Sequence, residues 1–395
     1  MIIPDYLIGI TWFSILLIIG LFASIISLKI KLPDILLLLI IGLITGYYLP
    51  FPYYGFFSAL AIFALVMILF DSTSKFKIRA IRQESPDALK LSLIFLIFSL
   101  IFLTAFTYIF FTDSLINLKM LLISAIFAAL MSSTSPDSVL AIFQGKKSKI
   151  SEILEFESIL NTPLAVLIPL IIIGVLNGSK FQTGLIATQL AQGIMTGAGV
   201  GLVLGILIFE LMRRKFIENI SPLAIVATAL FSFVLAENIG GNGVLAVTIL
   251  GLLFGAYQIK RKVDIQNFVD IFTVFLKIVI FILLGLIIKF PTDKIFLIKS
   301  IILFLIFIYI RYLAVSASFY KSTFTKKEKW FMALTGSKGL AAAVVAFTLI
   351  SYDIEGLKQI IDLTVLFILY SIIVASITSK FSGYFLSKKE IQIKK

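Results

Sequence analysis

The sequence predicts an all-α integral membrane protein: thirteen transmembrane helices forming an inverted repeat, with two discontinuous helices that cross. Three observations predict it. Of 395 residues, 60% are hydrophobic and only 14% charged, against about 25% charged in a soluble domain. Runs of apolar residues long enough to cross a bilayer follow one another, with short charged loops between them. Two of these runs are broken by polar and small residues at membrane depth, where irregular backbone is tolerated only inside protein or along a wet cavity.

The composition also excludes function classes. A mean hydropathy of +1.11 leaves too little polar surface for a water-soluble enzyme, and disorder requires low hydrophobicity. Cys and His are both absent. Disulfides, thiol nucleophiles, zinc sites and imidazole proton relays are therefore excluded, and proton chemistry falls to carboxylates or to a lysine. The net charge of +13 sits in brief loops, where membrane topology explains it and a nucleic-acid partner does not. No P-loop, dinucleotide fingerprint or nucleophile elbow appears, so neither an enzyme nor a cofactor is expected. The expected partner is the lipid bilayer.

The spans, in order, justify themselves as follows. The first, 6–27, is long for a secretory signal and lacks a small-residue cleavage pattern, so it reads as a retained helix. The second, 33–49, carries Gly42 and Gly46, spaced for close helix packing. The third, 54–70, ends at Asp71, read as an interfacial acid, and the fourth is 90–112. The fifth, 119–143, and sixth, 150–177, hold the polar clusters described below. The seventh, 184–212, is rich in glycine; the eighth, 220–238, closes on Glu237, read as a helix-terminal loop residue. The ninth, 242–258, carries Gly251 and Gly255. The tenth (266–288), eleventh (296–319) and twelfth (330–351) each contain a cation well inside the apolar run, and the thirteenth is 360–384. No room remains between the spans for a separate soluble domain, so residues 1–395 read as one membrane domain.

Loop charges set the orientation. With the N-terminus outside and the C-terminus cytoplasmic, the inside loops collect most Lys and Arg, from Lys29 and Lys31 to Lys394 and Lys395. The outside loops hold only Lys119, Lys180, Lys289, Lys294, Lys299 and Lys358. That is the positive-inside pattern. The remaining cations, Lys277, Arg311 and Lys338, lie within apolar spans. Such residues line a pathway, pair with a buried acid, or snorkel to the interface.

The fifth span is interrupted by Ser132-Ser133-Thr134-Ser135-Pro136-Asp137-Ser138, and the twelfth by Thr335-Gly336-Ser337-Lys338-Gly339. They lie seven spans apart, so spans 1–6 and 8–13 read as two repeats of opposite orientation. Paired broken helices point to the binding site of a transporter; two unrelated kinks are the alternative. In the sixth span Glu157 and Asn161 are i,i+4 and share a face, with Ser158 and Thr162 on the adjacent stripe. Oxygen donors of this kind suit hard cations and protons. A structural ion pair between Glu157 and a buried lysine is the other reading. Glu152 and Glu155 lie nearer the inside end and read as solvated.

The residues Leu32-Pro33-Asp34-Ile35, Glu237 to Ala246, and Leu276-Lys277-Ile278 to Gly285, in this order and spacing, resemble motifs of the monovalent cation/proton antiporter superfamily, of the sodium/proton exchanger type. The resemblance covers nearly the whole chain. It implies exchange of Na⁺ or K⁺ for protons across the cell membrane, a homodimer of multi-pass chains, a moving transport core over 90–177 and 296–384, and a scaffold with dimerising helices over 6–70 and 184–288. Similar antiporters carry Thr-Asp-Pro in the fifth span, where this chain has Thr134-Ser135-Pro136, and Asn-Asp-Pro in the sixth, where it has Asn161-Thr162-Pro163. Both usual ion-site aspartates are thus replaced. The basic positions, Lys277, Arg311 and Lys338, match the family. Three readings follow. Asp137, two residues past Ser135, could join Glu157 in the site, helped by Thr134, Ser135, Ser158, Asn161 and Thr162. Lys277, lacking its partner at position 162, could carry protons in place of a carboxylate. Or three cations against two acids could suit an anion, or mark a member that no longer transports and acts as a sensor or scaffold.

Overall fold

The computed structural model describes residues 5–30, 34–48, 54–75, 86–112, 117–135, 143, 148–177, 183–214, 220–287 and 293–386. All regular elements among them are helices: α1 (Asp5–Ile30), α2 (Asp34–Tyr48), α3 (Tyr54–Ser74), α4 (Pro86–Phe111), α5 (Leu118–Ser132), α6 (Lys149–Asn177), α7 (Thr183–Arg214), α8 (Ser221–Asn238), α9 (Gly243–Ala256), α10 (Lys262–Ile287), α11 (Lys294–Ser318), α12 (Lys326–Leu334), α13 (Leu340–Leu349), α14 (Leu357–Lys380) and the short α15 (Ser382–Phe385). Eight are long and apolar enough to cross a membrane, and α2, α3, α5 and α9 are shorter apolar helices.

Many large apolar side chains point outward, such as Phe22 on α1, Val203 and Leu207 on α7, Ile271 on α10 and Leu305 on α11. In water these faces would drive aggregation; in hydrocarbon they are matched to their solvent. The chain is a multi-pass membrane protein. Where it leaves the apolar layer, side chains cap the helix ends. Asn242 accepts from the N–H of Leu245 at the start of α9, and Asp293 from that of Ile295 at the start of α11. Thr325 and Glu328 form a reciprocal capping box on α12. Gly356, in the left-handed region at φ 87°, turns the chain into α14, a conformation that penalises any Cβ. Glu237 does serve the loop after α8: its Oε1 accepts from the N–H of Gly243 at 2.8 Å. Asp71 lies at the end of α3 with Lys75 (2.9 Å), which also meets Asp270 of α10 at 3.0 Å.

Two sets of helices pack together. On one side α2 runs along α10, and α9 lies among α3, α7 and α8. Glycine makes these contacts close. A Cβ at Gly42 would meet the Ile282 carbonyl and the Cα of Gly285, and one at Gly201 would meet the backbone of Ala246. On the other side α4, α5 and α6 pack on one another, α4 also on α11, and α14 on α5, α11 and α13. The helix α13 touches α3, α6, α10 and α14, and so joins the two sets.

Three departures from helical regularity fall in the second set. The α4 helix contains a wide π turn at Ser99–Leu103, where the N–H of Thr104 reaches the Ser99 carbonyl. The expected twelfth span is two short helices, α12 and α13, separated by non-helical backbone at 336–339. The fifth span behaves alike on its described side: α5 stops at Ser132, Ser133 is extended and residues 134–135 are not helical. Pro136, Asp137 and the rest of that expected span lie outside the described residues, Phe143 excepted.

Candidate functional site

The non-helical segments that follow α5 and α12 meet. The N–H of Ser135 donates to the Ser337 carbonyl at 2.9 Å, so each break satisfies part of the other's freed backbone. Glycine permits this approach, because a Cβ at Gly339 would meet Ser135.

Glu157 is fully buried on α6, one turn before Asn161. Arg311 of α11, also fully buried, closes on it fork to fork: Nη1 donates to Oε1 at 3.0 Å and Nη2 to Oε2 at 2.9 Å. This paired geometry is the strong form of the interaction, and it offsets the cost of burying both charges. Asn161 Nδ2 adds a donor to Glu157 Oε1 at 3.0 Å. The amide is oriented in turn by Ser92 of α4, whose hydroxyl donates to Asn161 Oδ1. Phe95, one turn further along α4, lies under the guanidinium, 4.5 Å from its carbon. The backbone crosses over Arg311 at Gly336, where a Cβ would strike the guanidinium. Pro163, inside α6, has no N–H to give the carbonyl four residues earlier.

Lys338 stands in the second break with no exposed surface. Its Nζ donates to the carbonyls of Met131 and Ser133, each at 2.6 Å. Met131 lies in the last turn of α5 and Ser133 caps its end, the negative end of that helix. The rings of Phe307 and Phe95 lie 4.7 and 5.3 Å from the ammonium, and the backbone N–H of Lys338 donates to the Ser371 hydroxyl of α14 at 2.9 Å. In the two non-helical segments the hydroxyls of Thr134 and Ser337 are buried and have no hydrogen-bond partner among the described residues.

The structure thus gathers Glu157, Asn161, Arg311, Lys338, Thr134 and Ser135 around one crossing. Ser158 and Thr162 are buried on the same helix, but their hydroxyls are turned to their own backbone, to the carbonyls of Glu155 and Ser158 at 2.7 Å each. Their oxygens remain able to accept, but they do not donate into the crossing. Asp137 lies outside the described residues. Lys277 is a correction. It does not lack an acid: its Nζ lies 2.8 Å from Asp34 Oδ2. The parallel packing of α2 on α10, with Gly42 at Gly285 and Gly46 at Leu286, brings the first residue of α2 level with Lys277. Arg311 does not snorkel, and the buried partner of Glu157 is this arginine and not a lysine. Sequence reasoning missed Ser92 and Phe95. Their only signal was a lone hydroxyl and one more ring in an apolar span.

A family model described as "Sodium/hydrogen exchanger, transmembrane" matches residues 13–382. The chain belongs to the sodium/hydrogen exchanger family. A Na(+)/H(+) antiporter, NhaH, from Halobacillus aidingensis is 27% identical over 93% of this chain and 96% of its own length. The low-affinity Na(+)/H(+) antiporter NhaS1 of Synechocystis is 30% identical, but over 42% of this chain and only 33% of its own length, so the chain spans a third of that relative. Among solved structures, the sodium proton antiporter MjNhaP1 of Methanocaldococcus jannaschii at pH 8 superposes with a TM-score of 0.82 at 23% identity. That match covers 97% of this chain and 98% of that one, and it shows that the two share a fold.

Proposed function

We propose that this exchanger-family chain moves a monovalent cation, Na⁺ or K⁺, against protons across the cell membrane. The observation that carries the reading is the crossing of two interrupted segments over the buried Glu157–Arg311 pair and Lys338. Irregular backbone and buried charge at membrane depth are what an ion site needs. Glu157, Asn161, Thr134, Ser135, Ser158, Thr162 and Asp137 supply its oxygens. Arg311 and Lys338 balance the charge, while Lys277 balances Asp34 away from the crossing.

The helices of residues 90–177 and 296–384 act as a core that rocks against a scaffold formed by 6–70 and 184–288, opening the crossing to either side in turn. Two chains associate through the scaffold, with the N-terminus outside and the C-terminus in the cytoplasm. The supporting pattern is the bias of Lys and Arg to the inside loops.

The experiment is dissipation of an imposed pH gradient in liposomes carrying the purified protein, with Na⁺, K⁺ and Li⁺ added separately. Exchange with at least one of them is expected, and the ion that works names the substrate. A gradient untouched by all three rejects the proposal.

A further inference from the structure

Resting on that reading, we propose that Phe95 is a positioning residue of the exchange: the face of its ring, shared by Arg311 and Lys338, fixes where these two buried cations stand in the crossing. Among the described residues Phe95 is the one ring that two cations share, with the guanidinium carbon of Arg311 at 4.5 Å and the ammonium of Lys338 at 5.3 Å from its centre. Both lie inside the range of roughly 6 Å over which a ring face attracts a cation. Phe95, Arg311 and Lys338 are all fully buried, so water screens neither attraction. Phe307 of α11 closes the cleft around the ammonium, 4.7 Å from it and 6.1 Å from the Phe95 ring.

Volume alone does not ask for an aromatic residue here. Leucine or methionine would also fill an apolar gap between α4 and α11, but neither has the negative face of a ring. Arg311 and Lys338 are charged neighbours that repel, and repulsion is strong where the dielectric is low. Glu157 attracts both, yet its fork of hydrogen bonds fixes Arg311 only. The ring gives both cations a further, uncharged anchor. The register of α4 puts it there. Ser92 and Phe95 are i,i+3 and share a face, so a single turn reaches Asn161 through a hydroxyl and the two cations through a ring. The cations hold the rest in turn. Arg311 fixes the Glu157 carboxylate, and Lys338 ties down the segment after α5 through the carbonyls of Met131 and Ser133. Phe95 therefore places the oxygens of Thr134, Ser135 and Asn161 through its neighbours, and acts on the transported cation without contact.

The test changes the electrons of the ring and not its shape. Phenylalanine carrying one, two or three ring fluorines is placed at position 95 of the full chain by suppression of a stop codon. Each fluorine withdraws charge from the face with little change in volume. Every form is purified and reconstituted, and the half-saturating concentration of Na⁺ or K⁺ is read from cation-driven proton movement in liposomes. A stepwise rise is expected along the series, reaching about tenfold with three fluorines, or about 1.4 kcal/mol. The same series at Phe127, which meets the ring of Phe367 edge-on at 4.9 Å and no cation among the described residues, is expected to stay at the wild-type value. A residue that only fills space predicts a flat series at 95, because the volume is kept. That flat series overturns the proposal, whatever the maximal rate, as does an equal rise at 127. If the fluorinated chains do not accumulate, Phe95→Leu and Phe95→Tyr decide the matter. The leucine variant is expected to raise the half-saturating concentration and the tyrosine variant, which keeps the face, to hold it; a leucine variant at the wild-type value overturns the proposal. A wild type inert to every cation removes the antiport reading as well; an active wild type beside a flat series removes only the role of Phe95.

Discussion

Arg311→Met is the most informative perturbation of the buried pair. The native guanidinium makes two charge-assisted bonds of 2.9 and 3.0 Å to Glu157 and lies 4.5 Å from the Phe95 ring, with no solvent at either charge. Methionine fills much of the volume but leaves Glu157 with Asn161 as its one remaining side-chain donor among the described residues. Removing one partner of such a pair costs about 3–5 kcal/mol, most of it the desolvated charge left behind. Neutralising both ends should be far milder, because a well-packed neutral pair can equal a buried ionic one. Thermal unfolding in detergent, followed by loss of the monodisperse peak, compares wild type, Arg311→Met, Glu157→Gln and the double variant. At roughly 2 °C per kcal/mol for a large domain, the arginine variant should lose about 6–10 °C. The double variant should recover more than half of that. An arginine variant as stable as wild type, or a double variant whose loss equals the sum of the two singles, would refute the reasoning.

Other expectations concern neighbouring parts of the molecule. Ser92→Ala removes the bond that orients Asn161; it should lower stability by about 1 kcal/mol and weaken cation dependence of exchange, read from a titration of Na⁺ or K⁺ in vesicles. Asp34→Asn breaks the ion pair with Lys277 and should cost about 1–3 kcal/mol by the same melting assay, with exchange retained, since that pair stands away from the crossing. Gly42→Val forces a Cβ into the α10 backbone at Ile282 and Gly285; overpacking of this kind costs about 1–3 kcal/mol or more, and an unchanged melting temperature would contradict the close contact.

Much of this architecture could be read from residues alone, for physical reasons. Polar runs such as Ser132 to Ser138 and Thr335 to Gly339 are conspicuous where every backbone group must find a partner away from water, and the contact of Ser135 with Ser337 bears out that they belong together. The i,i+4 spacing of Glu157 and Asn161 needs only helix geometry, and their 3.0 Å bond follows it. Pairings between distant segments were not legible. Asp34 meets Lys277 only because two glycines let α2 and α10 touch backbone to backbone, and no local pattern encodes that. The inward turn of the Ser158 and Thr162 hydroxyls is likewise a competition between their own helix and the cavity, which spacing does not decide. Ser92 was invisible because a single serine in a membrane helix is commonplace until its partner is known.

The wide turn of α4 has a consequence for motion. It stores one residue of slack in a helix whose earlier turns hold Ser92 and Phe95 against the buried charges. Such a defect can travel along a helix as a dislocation while both ends stay anchored, and every residue it passes swivels by about 100°, the angle of one helical step. Passage of the defect toward the start of α4 would turn Ser92 away from Asn161 and withdraw the Phe95 ring from Arg311 without unfolding the helix. One inserted residue would then work as a ratchet on the membrane-buried charges.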